Sequence, residues 1–161
     1  MVDMSRALSH LAWADEVFFT QFASLPEAAM GARYAPDQWP AGHLAAHIIG
    51  SASWYRYCLT GEPWLDVTGV RTPADLGALL PDLLAMDAAL LAQAQLPDEP
   101  VTFADEDGER TVLRSTLLNQ ACLHAVEHRA QISAALAASG FAPISLDDLD
   151  FWAFEEHSSA G

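Results

Sequence analysis

Four stretches of the chain repeat apolar residues with the 3.6-residue period of an amphipathic α-helix. These stretches cover residues 4–24, 40–60, 72–95 and 111–139. An amphipathic helix is stable when its apolar face packs against other elements, and four helices of this length can cover one another as a bundle. We therefore predict an all-α fold, a four-helix bundle, in a single domain that spans residues 1–161.

Residues with strong positional preferences mark the predicted helix ends. Pro40 suits a first helical position because it has no N–H to leave unpaired, and Gly61 suits the end of the same helix. Thr72, followed directly by a proline, is typical of a helix start. Pro81 lies inside the third pattern, where it should bend the helix or shift its true start. Gly140 predicts the end of the fourth helix.

The segments between the helices predict two smaller features. Residues 101–103 and 110–112 flank an Asp-Gly pair, which is typical of a small β-hairpin, here placed just before the fourth helix. Residues 145–148 contain side chains that can cap a short final helix. The connection over residues 61–71 is long enough to cross the bundle, so a simple up-down-up-down order does not follow from the connections.

The charge of the chain narrows the possible partners. Its seven basic residues are all arginine and face 22 acidic residues, giving a net charge of −15 at pH 7. Binding to nucleic acid needs a basic surface, and an anionic membrane surface also repels such a chain.

No apolar run approaches the ~20 residues that span a bilayer, and the start of the sequence lacks a basic segment followed by an apolar one. We expect a cytoplasmic protein that binds neither nucleic acid nor membranes.

Two pairs of histidines stand four residues apart within predicted helices. His43 and His47 form one pair, and His124 and His128 form the other. This spacing places both imidazoles of a pair on one side of the helix, so that two nitrogens can reach one divalent ion. A third ligand can then come from a facing helix.

The fourth helix carries its histidines on the face that is otherwise apolar. That face contains Leu117, Ala121, His124, Ala125, His128, Ile132 and Leu136. An unpaired imidazole nitrogen in a core costs about 1–3 kcal/mol, so each ring needs a partner. The partner is either a metal ion or a hydrogen bond to a backbone carbonyl, a water or Glu127, and the spacing alone does not decide.

The second helix offers a third imidazole. Its inward face contains Leu44, His47, Ser51, Tyr55 and Cys58. Three imidazoles around one ion leave a coordination position for water or substrate, as in many catalytic sites. His43 can serve instead of His47 or beside it, and the pattern leaves both possibilities open.

Residues 124–128 also match the H-x-x-E-H pattern of inverted zinc proteases, in which Glu127 would be the general base. Only 33 residues follow His128, and their acidic residues cluster in the last short segment. A small all-helical chain suits a protease poorly. We therefore interpret the match as a coincidence of a permissive pattern.

Four blocks of the sequence resemble the DinB/YfiT-like superfamily of small metal-binding proteins. Residues 10–14 resemble its first helix, residues 39–48 its tryptophan-led second helix, residues 124–132 its fourth-helix motif, and residues 143–151 its tail. In the family the metal histidine lies eight residues past the tryptophan, and this spacing selects His47. The position of His43 is often acidic in the family, which suggests an additional ligand or a residue that supports one.

The resemblance implies an up-down-down-up bundle that forms a homodimer and holds one divalent ion, zinc or nickel, with His47, His124 and His128. It also implies a thiol S-transferase that uses a low-molecular-weight thiol such as bacillithiol or mycothiol and a small-molecule electrophile. Tyr55 and Arg129 are candidates for orienting the substrate or stabilising charge. Three alternatives stay open: a non-catalytic, stress-linked metal-binding dimer, a metal-dependent hydrolase of the same family, and a bundle without metal.

Overall fold

The computed structural model describes residues 4–159, which are mostly helical and include one two-stranded antiparallel sheet. The described residues form six α-helices and two strands, in the order α1 (Met4–Ala23), α2 (Ala41–Thr60), α3 (Pro73–Ala78), α4 (Leu80–Gln93), β1 (Pro100–Asp105), β2 (Gly108–Leu113), α5 (Arg114–Ala138) and α6 (Phe151–Ser159). Two short 3-10 turns, Glu27–Gly31 and Asp147–Leu149, lie in the connections.

The third helical pattern divides into two helices, as the proline inside it suggested. Helix α3 ends at Ala78, and Pro81 lies in the first turn of α4, where its missing N–H leaves no helical hydrogen bond unmade. Thr72 and Asp75 form a reciprocal capping box at the start of α3. The Thr72 hydroxyl accepts from the Asp75 N–H at 3.2 Å, and the Asp75 carboxylate accepts from the Thr72 N–H at 2.8 Å.

Two predicted boundaries need correction. The fourth long helix begins at Arg114 and not at residue 111, because residues 111–113 complete strand β2. Residues 145–148 do not cap the last helix. The Asp150 carboxylate does so, accepting from the N–H groups of Trp152 and Ala153 at 2.9 Å each.

The predicted hairpin is present and packs on the helices. Strands β1 and β2 pair with Val101 opposite Val112 and Phe103 opposite Arg110. Phe103 is buried, with its ring 5.6 Å from that of Trp54 in α2. The Tyr57 hydroxyl donates to the Ala104 carbonyl at 3.2 Å. These contacts with helices stabilise a ribbon that would be marginal alone.

The long helices pack pairwise around one apolar core. Helix α2 contacts α5 and α4, and α1 contacts α4 and α5. The largest buried side chains include Phe18, Phe19 and Phe22 of α1. The up-down-down-up order of a four-helix bundle stays a prediction. Within residues 4–159, no helix combines the length and the apolar character needed to cross a membrane.

Candidate metal centre

The packing of α2 against α5 brings three histidine side chains together. His47 comes from α2, and His124 and His128 come from successive turns of α5. Nε2 of His124 lies 3.1 Å from Nε2 of His47 and 3.0 Å from Nε2 of His128. The ligating atoms of all three side chains lie within 4.8 Å of one another.

The donor set and its spacing fit a divalent metal ion. Imidazole nitrogens bind zinc at about 2.0–2.1 Å, which places two nitrogens on one tetrahedral ion roughly 3.3–3.4 Å apart, a few tenths of an ångström more than the separations here. Hydrogen bonds among the three rings explain these short nitrogen–nitrogen distances less well. A single Nε2 atom carries either one proton or one lone pair, so it can form a hydrogen bond with only one neighbour. His124 Nε2 has two such neighbours. A shared cation would satisfy three lone pairs at once.

A hydrogen-bonded pair of side chains orients His128. Its Nδ1 lies 2.8 Å from Oε1 of Gln131, and Nε2 of Gln131 donates to the Glu127 carboxylate at 3.3 Å. The contact with Glu127 assigns the amide oxygen of Gln131 to the His128 side. His128 therefore donates from Nδ1 and keeps the lone pair of Nε2 for a metal ion.

Burial keeps two of the histidines neutral at pH 7. It lowers the pKa of His47, and the rings of His128 and His43 lower that pKa further. Burial also lowers the pKa of His124 to about 4, with His128 and His47 adding to the effect. Neutral imidazole is the form that binds metal, so these two rings need lose no proton to act as ligands.

Two clefts open beside the three histidines. We call the first the aromatic cleft; it has a volume of about 580 Å³, and its walls include Tyr34, Trp39, Leu44 and His128. We call the second the arginine cleft; it has a volume of about 500 Å³, and its walls include His43, His47, Thr68 and Arg71. Each cleft therefore has one of the three histidines in its wall. A site with two such openings can receive two different small molecules.

A comparison with known protein families finds a match over most of the chain. A model of the DinB superfamily matches residues 10–132, more than three quarters of the chain, and the match includes all three histidines. The chain belongs to the DinB superfamily. A comparison with curated proteins finds no match.

Tyr55 lies on the core side of this DinB-superfamily site. Its ring centroid is 6.1 Å from that of His124, and burial raises the pKa of its hydroxyl to about 12. Tyr55 and His124 share a cavity of about 10 Å³ with Asp15 and Asp87, a volume that suits about one water. Tyr55 is absent from the described residues that line the two clefts.

Arg129 forms a buried ion pair with Asp15 of α1 at 2.5 Å. Asp87 of α4 is 1% exposed, and neither of its carboxylate oxygens has a hydrogen-bond partner among residues 4–159. Burial raises the pKa of Asp87 well above its ordinary value, and the charge of Asp15 adds to the rise. Burial also raises the pKa of Asp15, but the ion pair and hydrogen bond with Arg129 act against that rise. Because Asp15 has this partner and Asp87 has none, we assign the negative charge that balances Arg129 to Asp15 and the proton to Asp87.

His43 borders the site without joining the three histidines. It is exposed, and its ring centroid lies 4.4 Å from that of Trp39, which in turn lies 5.2 Å from that of His47. Within the described part of the chain, His43 forms no hydrogen bond with the other three histidines. Its role in supporting a ligand stays a prediction.

Three residues beside this site were not predicted from the sequence. Gln131 lies within residues 124–132, the segment that resembles the fourth-helix motif of the family, but no role was predicted for it. Its position three residues after His128 allows the hydrogen bond that the structure has. Asp15 and Asp87 occupy positions on the apolar faces of their helices, which was an available signal for a buried polar cluster. Their convergence with Arg129 depends on the packing of three helices.

Proposed function

We propose that this DinB-superfamily protein is a metal-dependent S-transferase that joins a low-molecular-weight thiol to a small electrophile. The observation that carries the proposal is the convergence of three imidazole nitrogens between two clefts. His47, His124 and His128 would hold one divalent ion, with zinc and nickel favoured by an all-imidazole donor set. Bacillithiol and mycothiol are the candidate thiols.

The proposed reaction is a substitution at an electrophilic carbon. When bound, the metal ion would supply a Lewis-acid position that favours a thiolate over a thiol. The new bond joins sulfur to carbon, the bond from carbon to the leaving group breaks, and the leaving group departs with the electron pair. The thiol proton passes to solvent.

The residues of the chain have separate tasks in this proposal. Gln131 holds His128 in the tautomer that presents Nε2, and the two clefts bring the thiol and the electrophile to the same centre. Tyr55 keeps its hydroxyl proton at neutral pH, so it acts as a hydrogen-bonding group and not as a base. Arg129 is engaged with Asp15 and fixes α5 against α1.

The test begins with the metal content of protein purified without an affinity tag. Loaded protein is then mixed with bacillithiol, mycothiol or glutathione and 1-chloro-2,4-dinitrobenzene, and loss of thiol is followed. We expect one equivalent of metal per chain and thiol consumption that a His128→Ala variant lacks. Metal-loaded protein that consumes no thiol above the uncatalysed rate with any of them contradicts the S-transferase proposal.

Both the transferase and the second candidate, a metal-binding homodimer without catalysis, require a dimer interface, and an exposed apolar groove supports one. Leu123 and Val126 of α5 are 65% and 51% exposed, and they line this groove with Leu146 and Phe151. Clustered exposed apolar residues are typical of an interface. We propose that two copies of the chain meet there. Light scattering should give a dimer mass for the wild type and a lower mass for a Leu123→Asp/Val126→Asp variant.

The metal-dependent hydrolase is the third alternative, and it needs a general base beside the metal. Glu127 is exposed, and its carboxylate accepts a hydrogen bond from Gln131. Hydrolysis of 4-nitrophenyl acetate that depends on Glu127 and on metal would favour this alternative over thiol transfer.

Two further parts of the proposal concern the whole chain. We propose the up-down-down-up bundle, supported by the pairwise packing of α1, α2, α4 and α5. We also propose a cytoplasmic location. Cys58 and Cys122 are both free thiols, as is typical of proteins in a reducing compartment.

A further inference from the structure

The two clefts beside the histidines differ in charge. Among the described residues that line them, Arg71 is the only arginine, and it belongs to the arginine cleft. The lining of the aromatic cleft includes Asp37 and no basic residue other than His128. Arg33 lies outside this lining, and its Nη1 donates to the carbonyl of Gln38 in the cleft wall. With a net charge of −15, the protein repels small anions over most of its surface, so a local cation decides where an anion can bind.

The guanidinium of Arg71 is held in place with part of its hydrogen-bonding capacity unused. Its Nη1 donates to the carbonyls of Thr68 at 2.6 Å and Val70 at 2.7 Å. Within residues 4–159, Nε and Nη2 of Arg71 have no hydrogen-bond acceptor, and Arg71 forms no ion pair. A fixed, exposed guanidinium with free N–H groups is suited to binding a carboxylate.

The nearby carboxylates have partners of their own. Asp75 accepts from the backbone N–H groups of Arg71 and Thr72 at 2.9 and 2.8 Å. Asp66 accepts from the N–H and the hydroxyl of Thr68 at 2.9 and 2.6 Å. These hydrogen bonds lower the pKa of both carboxyl groups, so both stay charged and reduce the positive potential without occupying the guanidinium.

The aromatic cleft is lined by exposed aromatic rings and apolar side chains, and its lining contains no arginine. Tyr34 is 69% exposed and Trp39 is 49% exposed, and both rings face this cleft together with Leu44 and Ala135. Aromatic rings pack favourably against other rings, and Asp37 repels an anion. This cleft is suited to a neutral aromatic molecule.

We propose that Arg71 binds a carboxylate of the thiol co-substrate in the arginine cleft, whereas the aromatic cleft takes a neutral aromatic electrophile. The proposal rests on the thiol-transferase function proposed above. It assigns a substrate class to each side of the metal centre: a thiol with a carboxylate at its other end, and an uncharged aromatic compound. Of the two candidate thiols this favours bacillithiol, because mycothiol has no carboxylate. Arg71 acts as a specificity-determining residue because it contacts the part of the thiol that does not react.

The test compares two small thiols on the cobalt-loaded full chain. Mercaptosuccinate carries two carboxylates, and 1-thioglycerol is an uncharged thiol of similar size. Sulfur binding is read from the near-ultraviolet charge-transfer band between sulfur and cobalt, independently of turnover. We expect mercaptosuccinate to bind roughly tenfold more tightly than 1-thioglycerol, the scale of one charge-assisted hydrogen bond.

Variants of Arg71 identify the source of this preference. Arg71→Gln should weaken mercaptosuccinate binding about tenfold and leave 1-thioglycerol unchanged, and Arg71→Lys should keep part of the preference. Arg110→Gln is the matched control, because Arg110 is an exposed arginine of the hairpin that pairs with Asp105 and Asp107. Circular dichroism shows whether each variant is folded.

The outcomes separate this inference from the function on which it rests. Equal binding of the two thiols to the wild type, or unchanged mercaptosuccinate binding by folded Arg71→Gln, overturns the role of Arg71 while thiol binding survives. If neither thiol produces the charge-transfer band, the thiol-transferase proposal fails, and the inference about Arg71 fails with it.

A separate titration tests whether the aromatic cleft binds a neutral aromatic compound. Calorimetric titration with 2,4-dinitrotoluene, an uncharged and unreactive aromatic compound, should show weaker binding to Tyr34→Ala than to the wild type. Binding to Arg71→Gln should be unchanged. Equal affinity of Tyr34→Ala and the wild type, or an effect of Arg71→Gln on this compound, contradicts the division of the two clefts.

Discussion

Oε1 of Gln131 accepts a hydrogen bond from Nδ1 of His128 at 2.8 Å, one helical turn further along α5. We predict that Gln131→Met, which keeps the length of the side chain and removes the acceptor, lowers metal affinity roughly 10–100-fold. Gln131→Glu should retain tight binding, because a carboxylate also accepts from Nδ1. The measurement is competition for zinc with a chelator of known affinity.

Asn119 provides a control on the same helix. It is exposed and donates to the Ser115 carbonyl at 2.8 Å, away from the histidines. Asn119→Ala should leave zinc affinity unchanged. Wild-type affinity in Gln131→Met would show that Gln131 does not orient His128.

The histidines themselves should differ sharply in their contribution to metal binding. His128→Ala removes a ligating nitrogen, and we expect it to abolish tight metal binding. His157→Ala should have no measurable effect, because His157 is an exposed residue of α6. Elemental analysis after gel filtration checks both. A His157 variant that lost its ion while the His128 variant kept it would overturn the ligand assignment.

His43→Ala should have an intermediate effect. Its ring contacts Trp39, which contacts His47, so its loss should loosen the packing around a ligand. We expect a weaker effect than that of His128→Ala in the same chelator competition. An affinity equal to that of the wild type would argue against any supporting role for His43.

The sequence predicted the helices better than the contacts between them. Residues 40–60 and α2 agree to within a residue because the pattern, Pro40 and Gly61 all act locally. The juxtaposition of His124 and His128 was also predictable from their i, i+4 spacing. The same spacing did not separate His43 from His47, and only the family resemblance selected His47, the one that lies with the α5 pair. The start of α5 could not be predicted from the local pattern, because residues 111–113 belong to a strand only when β1 and β2 pair.

The buried polar cluster shows what local patterns do not reveal. Asp15, Asp87 and Arg129 come from three different helices, and their proximity depends on how those helices pack. From the sequence, Arg129 was a candidate for contacting substrate. In the structure its guanidinium pairs with a buried carboxylate, and contact with substrate stays a prediction. Only the tertiary structure determines which buried charges meet.

The ion pair between Arg129 and Asp15 predicts a strong asymmetry between single and double variants. Asp15→Leu is made in an Asp87→Asn background, so that Asp87 cannot release its proton and replace the lost charge. It then leaves a buried guanidinium without its counter-charge, and we expect it to lower the free energy of unfolding by about 3–5 kcal/mol. Asp15→Leu combined with Arg129→Met removes both charges and should recover most of this loss. Urea unfolding at pH 7 measures both. A double variant as unstable as Asp15→Leu would contradict the explanation.

Removal of metal should lower the thermal stability of the protein. A ligand that binds only the folded state stabilises it by about 2.7 kcal/mol when present at 100 times its Kd. For a chain of this size, each kcal/mol corresponds to a change of roughly 2–4 °C in Tm. Calorimetric scans before and after chelation should therefore differ by several degrees. An unchanged Tm for protein shown to lose a full equivalent of metal would contradict a site between α2 and α5.

The buried carboxyl group of Asp87 should make the free energy of unfolding depend on pH, and its burial determines the sign of that dependence. Its pKa is raised in the folded state, so the folded protein keeps a proton that the unfolded chain releases near the ordinary carboxyl pKa. Between those two pKa values, the contribution of Asp87 to stability falls as pH rises. Each unit by which the folded-state pKa of Asp87 exceeds its unfolded-state pKa corresponds to about 1.4 kcal/mol in the free energy of unfolding. Asp87→Asn has no such proton to lose, so its stability relative to the wild type should increase with pH.

The measurement is urea unfolding of both proteins at intervals from pH 4 to pH 8. Taking the difference at each pH limits the contribution of His124, Tyr55, Cys122 and Arg129, which lie near Asp87 in both proteins. Asp15 interacts directly with the charge of Asp87, so the difference reports the titration of these two carboxyl groups together. Asp82→Asn, in the exposed first turn of the same helix, is the matched control and should show no comparable rise. If the stability of Asp87→Asn relative to the wild type stayed constant or decreased with pH, Asp87 would be ionised in the folded protein. The negative charge balancing Arg129 would then not reside on Asp15 alone.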